Sequence, residues 1–322
     1  MEKLLTLLLC LLSFTLSYSQ ENDESMLVMF WNLENFYDYT DQGTGESDKD
    51  FSSLGSRYWT KKKFYAKCDA IAKSVLWIGE KYGRMPDIIG LAEVENRGVL
   101  NKLLDYTLLR KYDYGIIHRD SKDRRGIDVA ILYRKSSMSF LDAAFKVPEY
   151  NSEIMATRDI LQVRMRLNSG KIYDFIVNHH PSKYGGDIES ENRRDAAMTT
   201  LRQLCDSLSS ERLVVMGDFN DTPTSPPFSK VDDILVNKGG SFHHNQEGTI
   251  RYEGRWELID MFLVSPSLDE VTEMHICRIP FLMTWDSLHP GEKPYRTYSG
   301  PRYIGGVSDH CPIILYFQNS CI

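Results

Sequence analysis

The feature of this sequence that most constrains its fold is a short apolar segment that ends directly in Asp, Glu, Asn or His, repeated along the chain. Residues 28–31 precede Asn32, residues 88–92 precede Glu93, residues 175–177 precede Asn178-His179-His180, and residues 213–216 precede Gly217-Asp218-Phe219-Asn220. Near the C-terminus the order reverses, and Ser308-Asp309-His310 leads into apolar residues 312–315. Open α/β sheets bind ligands at the carboxyl ends of their strands, and an antiparallel last strand brings its first residues to that edge. The pattern therefore predicts that these polar side chains gather at one edge.

The remaining hydrophobic pattern predicts a mixed α/β chain. Helical spacing of apolar residues predicts helices over 61–82, 99–109 and 190–208. Apolar runs predict strands over 27–31, 87–94, 113–118, 127–134, 160–167, 171–177, 213–216, 258–264 and 312–317, with a long loop over 38–55. No repeat and no Pro/Gly-rich linker divides the chain, so we expect one domain over 20–322 with helices outside sheets.

The first 19 residues have the composition of a signal peptide. A short start with Lys3 precedes an apolar run over 4–16, and small residues Ser17 and Ser19 stand three and one positions before the expected cleavage site. The run is shorter than the ~20 residues that a membrane span needs, and no later segment is apolar enough to span. We therefore expect an exported protein, periplasmic or extracellular, without a transmembrane segment.

The polar residues at the strand ends are typical of a site for a hard divalent cation. Carboxylate and amide oxygens suit Mg²⁺, with Mn²⁺ or Ca²⁺ as alternatives. The sequence has no HExxH or paired CxxC segment, no GxSxG elbow and no Walker-type loop. Metal-assisted hydrolysis of a phosphate ester is the chemistry that carboxylates, amides and histidines together perform. The net charge of −7 argues against an extended basic face for long polyanions.

Five segments together resemble the endonuclease/exonuclease/phosphatase (DNase I-like) superfamily, as a bacterial exported member. They read WNLEN from Trp31, LAEVEN from Leu91, NHHPS from Asn178, GDFND from Gly217 and SDH from Ser308. The resemblance spans the chain from about Met26 onward. It implies a four-layered α/β/β/α sandwich of two mixed β-sheets with helices outside. It also implies hydrolysis of a phosphodiester or phosphomonoester with a divalent metal.

The resemblance assigns roles to individual residues of this chain. Glu93 would be the principal metal ligand, with Asn32 and Asp309 close to the metal. Asp218 would orient or deprotonate the attacking water, and Asn220 would hold that water or a phosphate oxygen.

The histidines complete the catalytic set. His310 would stabilise the pentacovalent phosphate, and Asp260 would orient His310 by accepting its Nδ1 proton. The family's second histidine corresponds to either His179 or His180, and only one of them can face the cleft from an alternating strand. We favour His179 as catalytic and leave His180 as a substrate-binding candidate.

A few further residues have both a functional and an ordinary structural explanation. Arg158 resembles a family position that touches substrate phosphate, although an arginine before a strand is commonly a surface residue. Asp128 is either the partner of the second histidine or a surface carboxylate, and Arg124-Arg125 could reach a phosphate. Alternation turns Glu34 and Glu95 away from the edge, so we omit both.

The sequence therefore predicts a phosphodiesterase, most simply a secreted or periplasmic nuclease whose partner is its nucleic acid substrate. The alternative is a phosphomonoesterase or sphingomyelinase-like phosphatase on a small or lipid phosphate ester. An alternative of another class is a secreted binding protein that has lost catalysis, although every expected catalytic position holds a competent residue. No obligate protein partner is implied.

Overall fold

The computed structural model describes residues 25–318 except 41, 42, 44, 152, 184–186 and 209. The expected signal peptide, residues 1–19, lies outside the described residues. Among the residues described, no helix has both the length and the apolar character required to cross a bilayer.

Two six-stranded sheets form the centre of the molecule. The first has the order β15-β20-β1-β2-β4-β3, built from β1 (Leu27–Phe36), β2 (Ile88–Val94), β3 (Tyr114–His118), β4 (Asp128–Arg134), β15 (Thr272–Ile276) and β20 (Ile313–Phe317). The second has the order β11-β14-β10-β9-β8-β5, built from β5 (Met138–Lys146), β8 (Ile160–Leu167), β9 (Ile172–His179), β10 (Leu213–Asp218), β11 (Val236–Asn237) and β14 (Asp260–Val264). Each sheet is mixed, because β1 pairs with β2 and β9 with β10 in parallel while the other pairs are antiparallel.

Helices and small hairpins complete the chain. The α-helices are α1 (Lys61–Lys81), α2 (Arg97–Tyr106), α3 (Asp187–Leu208) and α4 (Gly240–His244), with 3₁₀ turns at Leu108–Tyr112, Pro226–Lys230, Pro266–Leu268 and Pro280–Leu282. The hairpins are β6 (Glu149–Tyr150) with β7 (Glu153–Ile154), β12 (Ile250–Tyr252) with β13 (Arg255–Glu257), β16 (Met283–Trp285) with β17 (Glu292–Pro294), and β18 (Tyr298–Ser299) with β19 (Arg302–Tyr303). Thr60 and Asn96 cap α1 and α2 by accepting from the backbone N–H groups of Lys63 and Val99.

The alternation of side chains along β1 explains the layers. Val28 and Phe30 belong to the core that also contains Phe175 and Met216 of the second sheet. Leu27, Met29 and Trp31 belong to a second core, shared with the apolar face of α1: Phe64, Cys68, Ile71 and Val75. One face of the first sheet thus packs on the second sheet and the other on helices. The expected four-layered α/β/β/α sandwich is confirmed.

The structure extends several predicted strands and adds strands that were not predicted. β1 runs to Phe36 rather than residue 31, and β9 and β10 each run two residues further, to His179 and Asp218. Asn32, His179 and Asp218 are therefore part of the strands, whereas His180 and Asn220 follow them and Asp309 and His310 precede β20. The nine-residue edge strand β5 was missed, because most of its side chains are exposed or half-buried and show no alternation.

Candidate active site

Strand register brings the predicted polar residues to one edge of the sandwich. In the first sheet Asn32 pairs with Ala92, next to Glu93. In the second sheet Asp218 pairs with His179 on one side and with Asp260 on the other. His310 precedes β20, whose first residue pairs with Phe30 of β1.

Asp218 is at the centre of this group and is buried. Its Oδ2 accepts a hydrogen bond from Asn32 Nδ2 at 3.0 Å, and its Oδ1 accepts from the backbone N–H of Asn220 at 2.9 Å. The Nε2 atoms of His179 and His310 lie 3.6 Å and 3.9 Å from Oδ2, beyond hydrogen-bond distance. Burial and the charge of Asp260 raise the pKa of Asp218 to about 7, against the opposing effects of His310, Asn32 and Asn220. A carboxylate with this pKa is suited to accept a proton near neutral pH.

His310 is oriented by a buried aspartate. Its Nδ1–H donates to Asp260 Oδ2 at 2.7 Å, and the hydroxyl of Thr249 donates to the same oxygen. Burial opposes a charge on the ring, but the carboxylates of Asp260, Asp218 and Asp309 together raise the pKa of His310 well above its usual value. Its Nε2 is then an N–H donor that carries positive charge.

The two neighbouring histidines have different surroundings. His179 Nε2 lies 3.9 Å from Glu93 Oε1 as well as near Asp218, and burial followed by the charges of Arg158 and Arg125 lowers the pKa of His179 well below its usual value. The His180 ring instead packs edge-on against Phe219, with ring centroids 5.1 Å apart. The structure does not bring the His180 ring to the site, because successive side chains of a strand point to opposite faces. Its backbone carbonyl accepts from Arg158 and from Asn220 Nδ2, each at 3.0 Å.

Glu93 reaches the edge through an irregular backbone. Its φ is +60°, at the point where the pairing of β2 with β4 is interrupted. One carboxylate oxygen accepts from the backbone N–H of Asn35 at 2.7 Å, and the other lies 3.4 Å from an Arg125 guanidinium nitrogen. Burial alone would raise the pKa of Glu93, but Arg125 and the Asn35 amide outweigh it and the pKa is lowered. Glu93 is therefore an ionised carboxylate.

The donor set fits a divalent cation. Glu93 provides an ionised carboxylate, Asn32 an amide oxygen, and Asp309 a carboxylate whose Oδ1 lies 3.8 Å from His310 Nε2. Asn32 Oδ1 accepts from the backbone N–H of Glu34 at 2.9 Å, which leaves its second lone pair. Asp218, Asp260 and His310 also offer ligand atoms within 4.8 Å of one another. Hard oxygen ligands of this kind are those that Mg²⁺ and Mn²⁺ take in proteins.

An arginine-lined cavity of about 400 Å³ adjoins this group. Arg158 lines it and is buried, with one guanidinium nitrogen 3.0 Å from Asp123 Oδ2. The other lining residues are Asp123, Arg124, Arg125, Tyr150, Met155, Ala156, Thr157, Pro181, Ser182 and Arg193. Arg158 is therefore a buried cavity residue, and the surface alternative is wrong. The cavity lies beside the catalytic edge, because Arg125 lines the cavity and also contacts Glu93.

Sequence reasoning missed a supporting group on the far side of Asp309. Glu34 is buried, and it accepts from Arg296 Nε at 3.2 Å and from the backbone N–H of Thr297 at 2.8 Å. Arg296 also donates to Asp309 at 3.0 Å, so it joins the two carboxylates. Glu34 has φ +47° and Asn35 has φ +55°, and such residues break the alternation from which Glu34 was predicted to point away. The only local signal in the sequence was Asn35 directly after Glu34, because Asn tolerates left-handed backbone.

Comparison with known proteins agrees with this geometry. A sequence profile described as the Endonuclease/Exonuclease/phosphatase family matches residues 27–319. The chain belongs to this family. Members of the endonuclease/exonuclease/phosphatase family are usually phosphoesterases, and the acidic groups at this edge could bind the divalent metal that they commonly use. The search of curated proteins returned no significant match.

Solved structures of the endonuclease/exonuclease/phosphatase family share the fold at low sequence identity. A family protein from Bacteroides thetaiotaomicron is 16% identical, with 91% of this chain and 97% of that chain covered and a TM-score of 0.57. Truncated TDP2 from Caenorhabditis elegans is 17% identical, with 92% and 98% covered and a TM-score of 0.58. A mannosyl-6-phosphatase from Bacteroides thetaiotaomicron is 16% identical, with 90% and 98% covered and a TM-score of 0.56. These similarities establish the fold.

Proposed function

We propose that the protein is an exported, Mg²⁺-dependent phosphodiesterase that cleaves nucleic acid. The observation that carries the catalytic part is the convergence of Asp218, His310 and Glu93 at one buried edge. At this edge a proton-accepting carboxylate, a positively charged histidine and an ionised carboxylate lie close together. Together they match the three needs of phosphate ester hydrolysis by water: a base, an electrostatic donor and a cation ligand.

The residues of the chain divide the reaction between them. Asp218 accepts the proton of the attacking water, and Asn220, held against Asp218, orients that water. His310 donates a hydrogen bond through Nε2 to charge that develops on the phosphate, and Asp260 keeps its ring oriented. His179, whose Nε2 lies 3.6 Å from Asp218 Oδ2, donates a second hydrogen bond to that charge. Glu93, Asn32 and Asp309 would hold a divalent cation, which would supply Lewis-acid polarisation of a phosphate oxygen.

The arginine-lined cavity favours nucleic acid over a phosphomonoester. Four arginines and one aspartate line it beside the catalytic edge. Each arginine also pairs with a carboxylate, but the pairs of Arg124 and Arg193 are solvent-exposed and therefore weak enough to exchange for phosphate. A nucleic acid strand presents further phosphates next to the one that is cleaved, and arginine recognises phosphate oxygens with paired N–H groups. A TDP2 structure from D. rerio, 15% identical with a TM-score of 0.54, is described as a complex with single-strand DNA product.

A phosphomonoesterase is the second candidate function. The observation that favours it is the fold shared with the mannosyl-6-phosphatase, together with the net charge of −7. Such a substrate would use the catalytic edge and leave the arginine cavity without a role. The substrate that the protein turns over distinguishes the two functions.

The test offers purified protein from Gln20 onward plasmid DNA, RNA, a nucleotide monoester and sphingomyelin, each with Mg²⁺, Mn²⁺, Ca²⁺ or EDTA. We expect metal-dependent cleavage of nucleic acid, reduced by at least about 10²-fold in Asp218→Ala and His310→Ala with the fold retained. Turnover of a monoester or lipid while the plasmid stays intact would show that the substrate is that ester and not nucleic acid. Wild-type rates in either variant would reject the site.

Export is supported by the composition of residues 1–19. Expression of the full chain in a bacterial host, followed by mass spectrometry of the exported fraction, should give a protein that begins at Gln20. Full-length protein confined to the cytoplasm would contradict export and leave the catalytic proposal unaffected.

A further inference from the structure

A second group of potential metal ligands lies outside the catalytic edge. His118 ends β3, Asp128 begins the neighbouring strand β4, and Asp120 lies in the loop between them. One ligand atom from each of these three residues can be chosen so that all lie within 4.8 Å of one another. The group contains an imidazole and two carboxylates, whereas the catalytic ligands are carboxylate and amide oxygens.

The two carboxylates lie beside different nitrogens of the His118 ring, each beyond hydrogen-bond length. His118 Nε2 lies 3.7 Å from Asp128 Oδ2, and His118 Nδ1 lies 3.7 Å from Asp120 Oδ1. Both distances exceed hydrogen-bond length. Two ligand atoms bound 2.0–2.2 Å from a tetrahedral ion are about 3.4 Å apart, close to the His118 Nε2–Asp128 Oδ2 distance of 3.7 Å. An ion binds only one ring nitrogen, so the exposed Asp120 side chain would complete the set from within the 4.8 Å that separates the three ligand atoms.

An unsatisfied buried atom points independently to a ligand. The His118 side chain is only 1% exposed, and its Nε2 has no hydrogen-bond partner among the residues that the structure describes. Buried polar atoms without a partner are uncommon in folded proteins, and a bound ion is one of the explanations for them.

We propose that His118, Asp120 and Asp128 form a second metal site that binds a first-row transition-metal ion, with Zn²⁺ as the probe. Imidazole together with carboxylates suits zinc better than Mg²⁺, which prefers oxygen ligands alone. Three protein ligands leave a coordination position for water. The site is separate from the catalytic metal ligands and takes a different class of cation.

The site would stabilise the loop that contributes Asp123, Arg124 and Arg125 to the lining of the arginine cavity. Asp128 Oδ1 accepts from the backbone N–H of Ser121 at 3.1 Å, and the Ser121 hydroxyl accepts from the N–H of Asp123 at 3.1 Å. Asp123 in turn contacts Arg158, and its other oxygen accepts from the N–H of Arg125 at 3.0 Å. A cation at one end of this loop therefore holds the backbone that aims Arg125 at Glu93.

The direct test is zinc binding by calorimetry in excess Mg²⁺, with bound zinc counted by elemental analysis. We expect the wild type to bind one more zinc ion per chain than His118→Gln. We expect Asp120→Asn to lower the affinity for that additional zinc ion at least tenfold. The matched control is His275→Gln, because His275 Nε2 lies 3.4 Å from Glu273 Oε1 in a two-residue pair on the surface. The control should bind as the wild type does.

Asp120 is decisive if His118→Gln does not fold, because its side chain is 75% exposed. Equal zinc affinity in the wild type and Asp120→Asn would overturn the proposal, as would the absence of zinc binding. As a second readout, zinc should slow tryptic cleavage after Lys122 and Arg124 in the wild type but not in Asp120→Asn. Equal cleavage rates with and without zinc would reject the stabilisation of the loop.

Discussion

Asp218 and His310 lie side by side with pKa values that are both raised but with opposite consequences for charge. Burial and Asp260 raise the pKa of Asp218 to about 7, so this carboxyl exchanges its proton near neutral pH. His310 keeps its proton well above its usual pKa, because carboxylates outweigh the cost of burying its charge. One residue is thus prepared to accept a proton, and the other to present a positive donor to phosphate.

Asp260 acts through His310, so its loss should appear in turnover. We expect Asp260→Asn to lower kcat by about 10²–10⁴-fold with little change in KM, because the amide no longer fixes the ring tautomer and charge. Steady-state kinetics and the circular dichroism spectrum should be measured together. Asp269→Asn, at an exposed carboxylate that contacts Lys238, is the matched control. A variant with wild-type kcat would show that the His310–Asp260 contact has no catalytic role.

Glu95 should make the stability of the protein depend on pH. Burial and the hydrogen bond with Asp48 raise its pKa from 4.5 to about 9, with further contributions from the charges of Asp48 and Asp38. A carboxyl group whose pKa rises on folding holds its proton in the folded state. The contribution of Glu95 to the stability of the folded state is therefore complete below pH 4.5 and is lost as the pH rises toward 9.

We expect Glu95→Gln to lose less stability than the wild type between pH 5 and pH 9. The Tm at pH 9 should rise by roughly 2–4 °C for each kcal/mol recovered, measured by thermal denaturation. Glu80→Gln, at an exposed position in α1, should follow the wild type at both pH values. An identical fall in Tm for the wild type and Glu95→Gln would contradict a raised pKa at Glu95.

At the scale of secondary structure, the parallel pair β9 and β10 sets the separation of His179 from Asp218. Gly217 faces Asn178 in this pair. A Cβ atom at Gly217 would lie 2.5 Å from the backbone oxygen of Asn178 and 2.9 Å from its Cβ. The absence of a side chain at Gly217 thus allows the two strands to approach closely beside the catalytic residues.

Gly217→Ala should therefore damage both stability and catalysis. We expect a loss of about 1–3 kcal/mol in the free energy of unfolding, because the neighbour is backbone and cannot turn aside. Activity should fall as the strands separate. Gly240→Ala is the control, since a Cβ there would meet no atom of the described residues within 4 Å. Chemical denaturation would measure both, and equal unfolding free energies for the two variants would show that β9 and β10 absorb the methyl group.

The sequence predicted the helices and central strands but not the direction of every side chain at their ends. Alternation is reliable where the backbone is extended, as in Val28 and Phe30 of β1. It fails at Glu34, Glu93 and Asn220, whose φ angles of +47°, +60° and +51° are left-handed. Such residues depend on tertiary contacts, such as the Asn35 amide on Glu93, which no local pattern records. Arg296 was missed for the same reason, because only folding brings it to Asp309.

At the scale of the whole molecule, the arginine cavity is an exception to the general charge. The chain has a net charge of −7, yet Arg124, Arg125, Arg158 and Arg193 line one cavity beside the catalytic edge. An acidic surface with a basic cavity opposes adsorption of polyanions elsewhere while concentrating phosphate at the site. Nucleic acid affinity should thus depend on a few defined contacts.

The salt dependence of binding would count those contacts. In the inactive Asp218→Ala background, the affinity for single-stranded DNA should fall as salt rises, with each phosphate contact adding about −0.7 to the slope of log K against log salt concentration. Arg193→Gln should flatten that slope by about 0.7, because Arg193 lines the cavity and is 45% exposed. Arg166→Gln should leave it unchanged, since Arg166 is exposed and pairs with Ile172 at the opposite end of β9 from His179. A wild-type slope near zero would instead mean that no nucleic acid phosphates are bound in the cavity, the behaviour of an enzyme for small phosphate esters.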